Sequence, residues 1–189
     1  MTYPLLAIIQ SRYNSTRLPG KALLPLGNSN VLGRCIERVS RAKLISDIMV
    51  ATSDEHSDFV INEYCKKSSL TCYKGSLIDV GTRLANAVAS KKEKSFVRIC
   101  GDSPFIDPAV IDQAVSFSKA SEVDLVTNVF PRSFPKGQSV EVIKAKTMMQ
   151  LCRAERSIDE KEHATSYIYN NHQQFRICTF SSGENAADS

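Results

Sequence analysis

The chain has 189 residues, 42% hydrophobic and 23% charged, which is the balance of a globular protein able to bury a core without disulfides or a structural metal. Small stapled scaffolds are thereby excluded, and the expected organisation is one domain over 1–189 with a frayed tail over 181–189. The net charge of +4 is too weak to argue for nucleic acid, but residues 1–43 hold seven Lys and Arg against the single acid Glu37, a local positive field suited to an anionic small molecule.

Leu5–Ile9 is a continuous apolar run, as in a buried strand of a parallel sheet, and it lacks the basic flank of a signal peptide. No apolar stretch approaches the roughly 20 residues of a membrane span, so the expected setting is cytoplasmic, with no membrane partner. Val31–Lys43 repeats apolar residues at helical spacing, Asp47–Thr52 reads as a strand, Ser57–Lys67 as a helix and Leu70–Tyr73 as a short strand. Leu77–Lys91 follows as a helix, Ser95–Cys100 as a strand, and Pro108–Ser118 as a helix with Pro in its first turn and Asp107 as its N-cap.

Such alternation implies an α/β protein with a mostly parallel sheet, helices on both faces and function at the carboxyl ends of the strands. After Asp124–Asn128 the pattern loosens into a mixed region: turns at Pro131, Pro135 and Gly137, a strand over Ser139–Ile143, helices over Lys146–Glu155 and Glu162–Asn171, and a last strand over Phe175–Phe180. Cys35, Cys65, Cys72, Cys100, Cys152 and Cys178 form no C-x-x-C pair and are expected to be reduced core thiols.

The segment Gln10–Lys21, QSRYNSTRLPGK, leaves the first strand carrying Arg12, Arg17 and Lys21, the Ser15 and Thr16 hydroxyls, and Gly20. These groups suit a triphosphate, since cations give charge-assisted hydrogen bonds and glycine permits close backbone approach. The segment lacks the dense glycines of a P-loop, and a solvated basic loop is the competing reading. Downstream, Arg98 shares a strand face with Phe96 and Cys100 and leads to Gly101 and Asp102 at the strand's carboxyl end. Ser53 and Asp54 follow the second strand as pocket candidates, although Asp54 equally suits a helix cap. Asp79 and Arg83, four residues apart, suit either a pocket or a surface ion pair.

In order along the chain, IIQSRYNSTRLPGKALLPL, DIMVATS, YKGSLIDV, VRICGDSPFIDPAVID, RSFPKGQSVEV and EHATSYI resemble the cytidylyltransferases that include the spore coat polysaccharide biosynthesis protein F family and, more distantly, the enzymes activating acylneuraminate and 3-deoxy-octulosonate sugars. The resemblance implies a three-layer, Rossmann-like fold of the nucleotide-diphospho-sugar transferase type. It also implies transfer of a cytidylyl group from CTP to a sugar or sugar-acid hydroxyl with release of pyrophosphate, for surface polysaccharide biosynthesis, by a homodimer. Phosphate roles fall on Arg12, Arg17 and Lys21, and the Mg²⁺ ligand on Asp102. Arg12, Lys21 and Asp102 are the expected catalytic residues. Ser15, Thr16, Arg17, Gly20, Ser53, Asp79, Arg83, Arg98, Glu141 and His163 are expected to contact substrate.

Two carboxylates of the family pattern are missing, because this chain reads Asp79-Val80-Gly81-Thr82-Arg83 for DVLDR and Gly137-Gln138-Ser139-Val140-Glu141-Val142 for GLDVEV. Glu141 is the nearest survivor of the second. The chain also stops shortly after FRICTF, which reads as a shortened member. Two alternatives stand beside the transferase: a glycosyltransferase using a premade nucleotide sugar, for which the D-x-D motif is missing, and a nucleotide-binding or assembly protein with weakened catalysis.

Overall fold

The computed structural model describes residues 4–14 and 18–183. A seven-stranded sheet runs in the order β5-β4-β1-β6-β8-β7-β9, comprising β5 (Thr71–Gly75), β4 (Ile45–Ser53), β1 (Leu5–Gln10), β6 (Ser95–Cys100), β8 (Glu141–Lys144), β7 (Leu125–Thr127) and β9 (Ile177–Thr179). The first four are mutually parallel, whereas β8 is antiparallel to both β6 and β7, which gives the mixed carboxyl-terminal part.

Strand periodicity sorts the core into two layers. Leu5, Ala7 and Ile9 of β1 point with Val97 and Ile99 of β6 toward α1 (Val31–Ser40), α2 (Phe59–Lys67) and α4 (Pro108–Ala120). Leu6 and Ile8 point with Phe96 to the opposite face, against α3 (Val80–Ser90), α5 (Ala145–Arg153) and α7 (Ser166–Asn170). The chain is thus a three-layer α/β sandwich, and each central strand is apolar on both faces because helices cover both. All six cysteines are free; Cys35 and Cys65 are buried and the other four half-buried. Burial pushes the Cys35 thiol up to about 12.

Several boundaries shift for physical reasons. Helix α1 ends at Ser40, short of Lys43, because the Asp112 carboxylate takes the amides of Lys43 and Leu44 at 3.0 and 2.8 Å. A hairpin of β2 (Pro25–Leu26) and β3 (Ser29–Asn30) precedes α1, turning at Gly27, whose φ of 63° favours glycine. The expected helix over Glu162–Asn171 is shortened to α7, and a separate short helix, α6 (Ile158–Glu162), precedes it with a break at His163. A capping box between Ser157 and Glu160 starts α6. Asp107 caps α4, accepting from the Ala109 amide at 2.9 Å. Met148 and Leu151 of α5 are core residues facing α3, while Met149 is exposed.

Candidate functional site

The parallel register brings the carboxyl ends of β1 and β6 level, with Gln10 opposite Cys100. Gly101 then donates its amide to the Gln10 carbonyl at 2.8 Å, and a Cβ at Gly101 would lie 2.9 Å from Ser11 Cβ, so a side chain here would force the strand ends apart. That close approach aims the residues after both strands into one cavity of about 310 Å³. On one side are Arg12, Lys21 and Asp102; on the others are Arg83 of α3, Arg98 of β6, and Glu162 and His163 after α6.

Lys21 Nζ donates to Asp102 Oδ2 at 2.8 Å across the mouth, with both groups partly exposed. Gly20, at φ 75°, returns its amide to the Tyr13 carbonyl at 2.8 Å and so closes the base of the loop that delivers Lys21. Ser15, Thr16 and Arg17 lie outside the described residues. Arg12 donates to Glu162 Oε1 at 2.8 Å, and the guanidinium holds the Glu162 carboxyl below the usual range. Arg83 is buried and donates through NH1 to the Ser76 carbonyl at 2.6 Å. Burial lowers its guanidinium and Arg12 adds to that, against the opposing pull of Asp58, Asp54 and Asp79. His163 lies 3.5 Å from Asp159 and is mostly exposed.

Three expected contacts sit behind the cavity wall. Ser53 is buried, and its hydroxyl donates to Asp58 at 2.5 Å; Asp58 also accepts from Thr52 Oγ1 at 2.9 Å and from the Tyr13 amide at 2.6 Å. Asp58, which the sequence reading passed over as part of a helix start, therefore ties β4 to the loop after β1. Asp79 caps α3 through the Thr82 amide at 2.8 Å and is gripped by Arg156 at 2.6 and 3.1 Å, so it forms no pair with Arg83. Gly81 fits under that grip, since a Cβ there would lie 2.8 Å from Arg156 NH1 and 3.0 Å from Leu151. Glu141 is buried under Arg98, pairing with it and accepting from the Tyr169 hydroxyl, which also contacts Thr127 Oγ1 at 2.9 Å. Burial works to lower the Arg98 guanidinium, but Glu141 and Cys100 outweigh it and hold it high.

Among the described residues no three of His, Cys, Asp and Glu stand close enough to hold a metal ion. Asp102 nevertheless offers oxygen at the cavity mouth, beside cations. That donor set fits a hard cation such as Mg²⁺ shared between one carboxylate and substrate phosphates, and does not fit a metal held by protein alone. A depression of about 290 Å³ lies at the opposite ends of β4 and β5; its carboxylate, Asp47, is tied to Lys91 at 2.9 Å, and it gathers no comparable set of groups.

Residues 6–186 match the family model described as Cytidylyltransferase. The chain belongs to the cytidylyltransferase family. It is accordingly a nucleotidyltransferase, with the fold of that class. This cytidylyltransferase is 31% identical over 180 residues to the spore coat polysaccharide biosynthesis protein SpsF of Bacillus subtilis, covering 92% of this chain and 73% of that one. It is 37% identical over 111 residues to the 3-deoxy-manno-octulosonate cytidylyltransferase of Geotalea daltonii, covering 58% of this chain and 43% of the relative. Among solved structures, a cytidylyltransferase from Leptospira borgpetersenii superposes with a TM-score of 0.91 at 30% identity, covering 96% of this chain and 78% of that one.

Proposed function

We propose that this cytidylyltransferase transfers a cytidylyl group from CTP to a hydroxyl of a sugar acid, with Mg²⁺ and release of pyrophosphate, in the making of a surface polysaccharide. The convergence of Lys21 and Asp102, from different strand ends, at the mouth of a cavity that also holds Arg12 carries this reading. Family membership disfavours the glycosyltransferase alternative, and the relatives' names supply the nucleotide and the sugar class.

In the ligand-free arrangement both cations face acids, Lys21 on Asp102 and Arg12 on Glu162. A triphosphate entering the cavity exchanges those carboxylates for its own oxygens, so Lys21 and Arg12 turn to the phosphates, and the freed Asp102 carboxylate would be the residue that holds Mg²⁺. When bound, Mg²⁺ would supply charge neutralisation on the phosphate oxygens. The sugar hydroxyl oxygen bonds to the α-phosphorus as the bond from that phosphorus to the bridging oxygen breaks. Its proton goes to solvent, and pyrophosphate leaves with the electron pair. Lys21 and Arg12 stabilise the charge that builds on the leaving group, and no protein nucleophile takes part.

The two core layers share one sheet, which supports reading the chain as a single domain. A homodimer rests on the family likeness, and a monomeric mass in light scattering at tens of micromolar would contradict it. Among the described residues no helix is long and apolar enough to cross a membrane. Pyrophosphate release measured across the four nucleoside triphosphates and a panel of keto-deoxy and acylamino sugar acids tests the function. Turnover with CTP and a sugar acid is expected; nucleotide binding without turnover would favour the binding or assembly protein.

A further inference from the structure

Gln10 ends β1 and lines the cavity, and its side-chain oxygen accepts from Arg98 Nε at 2.8 Å. A guanidinium has donors and no acceptor, so only the amide oxygen can face it, and the orientation of the Gln10 amide is settled by chemistry. Arg98 is in turn immobilised: NH1 pairs with the buried Glu141, NH2 reaches the Cys100 sulfur at 3.7 Å, and Tyr169 holds the other oxygen of Glu141. The far end of the same planar amide, Nε2, has no acceptor among the described residues and is not one of their buried unpartnered atoms, so it stays accessible on a residue that lines the cavity.

Glu141 neutralises Arg98, which leaves the Gln10 amide an uncharged donor in a lining that also includes apolar Val80 and Ala22. Arg12, two residues along the chain and roughly 7 Å away in extended backbone, carries charge into the cavity, as do Lys21 and Arg83 on its other sides. An uncharged donor in such a lining, at that offset from Arg12, suits the base end of a nucleotide better than its phosphates. Cytosine and uracil differ at N3 and at the substituent on C4, and N3 is the position of interest here. Ring N3 of cytosine is an acceptor, whereas N3 of uracil carries a hydrogen and is a donor.

Resting on the proposed use of a nucleoside triphosphate, we propose that Gln10 is the specificity-determining residue for the base, its Nε2 donating to N3 of cytosine and opposing the N3–H of uracil. Arg98 and Glu141 are positioning residues that prevent the amide from flipping to satisfy uracil. A site built around a fixed donor rejects the analogue that lacks the acceptor, because two donors then face each other unpaired.

The test is the ratio of CTP to UTP affinity, measured by calorimetric titration with Mg²⁺ on wild type, Gln10→Glu and Gln10→Met. Wild type is expected to prefer CTP by at least about tenfold. Gln10→Glu keeps the shape and still accepts from Arg98, but presents an oxygen to the base. Its charge weakens both nucleotides, and the ratio should fall to one or below. Gln10→Met removes the donor without adding charge and should bring the ratio near one, so the inference does not depend on one variant folding. A wild type without base preference, or a CTP to UTP ratio unchanged in the variants, overturns the assignment. That includes the case in which only the KM for 3-deoxy-manno-octulosonate rises, which would give the amide to the sugar. A wild type that binds no nucleotide contradicts the proposed function itself and is recognised before any variant is made.

Discussion

Lys21 Nζ and Asp102 Oδ2 stand 2.8 Å apart, although the residues are 81 positions apart in the chain. One follows β1 and the other follows β6, and the parallel pairing of those strands brings them together. An exposed pair of this kind stabilises the fold by no more than about 1 kcal/mol, so stability alone is a weak reason for it. A cation and a carboxylate kept ready for phosphates and metal is a stronger one. Lys21→Ala should therefore leave the melting temperature nearly unchanged while weakening Mg²⁺-CTP binding by about tenfold or more, the worth of one charge-assisted hydrogen bond. Equal affinity in calorimetry would return this loop to a solvated face.

Arg12 and Glu162 form a second such pair, with a different consequence. Glu162 competes with phosphate for Arg12. Glu162→Gln should tighten pyrophosphate binding by up to about fivefold, the most an exposed pair usually withholds. The gain should vanish when Arg12→Ala is added, and a gain that persists would place the competition elsewhere.

Arg98 and Glu141 behave differently because Glu141 is buried and Arg98 is largely covered. Glu141→Ala leaves a guanidinium without its counterion inside the sheet, which costs about 3 to 5 kcal/mol. For a chain of this size that should lower the melting temperature by roughly 10 °C. Thermal unfolding of Glu141→Ala within a degree or two of wild type would show that the pair does not hold β6 against β8.

The Arg156 grip on Asp79 predicts a pH dependence. Partial burial works to raise the Asp79 carboxyl, but hydrogen bonds from Arg156 and Thr82 outweigh it and hold the group below its usual value. A carboxyl lowered in the folded state stabilises the fold above its unfolded value, about pH 4, and that stabilisation disappears as pH falls through the folded value. Arg156→Met should accordingly flatten the decline of melting temperature below about pH 4. An identical acid limb in both proteins would show that the pair contributes nothing to acid stability.

Much of this was legible in the chain because apolar runs and helical spacing report burial directly. The run Leu5–Ile9 and the segment Ser95–Cys100 appear as β1 and β6, and Asp107 caps α4 as its place before Pro108 implies. The hairpin of β2 and β3 escaped because strands of two residues have no period to read. The break at His163 escaped because α6 buries none of its residues and so lacks a helical stripe. In the site, Lys21, Arg83, Arg98, Asp102 and His163 share the cavity, while Ser53, Asp79 and Glu141 lie behind its wall. The difference depends on partners distant in sequence: Arg156 is 77 residues from Asp79, and Arg98 is 43 from Glu141. Local spacing carries no trace of such pairs.

The central claim, that Asp102 serves a metal and a nucleotide undergoing transfer and does not merely shape a turn, is tested most directly by Asp102→Asn. This change keeps the shape and turn preference of the residue and removes only its charge. Pyrophosphate release from CTP with the sugar acid that wild type uses, read alongside the melting temperature with and without Mg²⁺-CTP, should separate the two roles. The account predicts an apoprotein melting temperature close to wild type, loss of the added stabilisation by Mg²⁺ in the presence of CTP, and turnover lower by several orders of magnitude. Normal turnover in Asp102→Asn, or a loss of folding stability with the metal response intact, would contradict it.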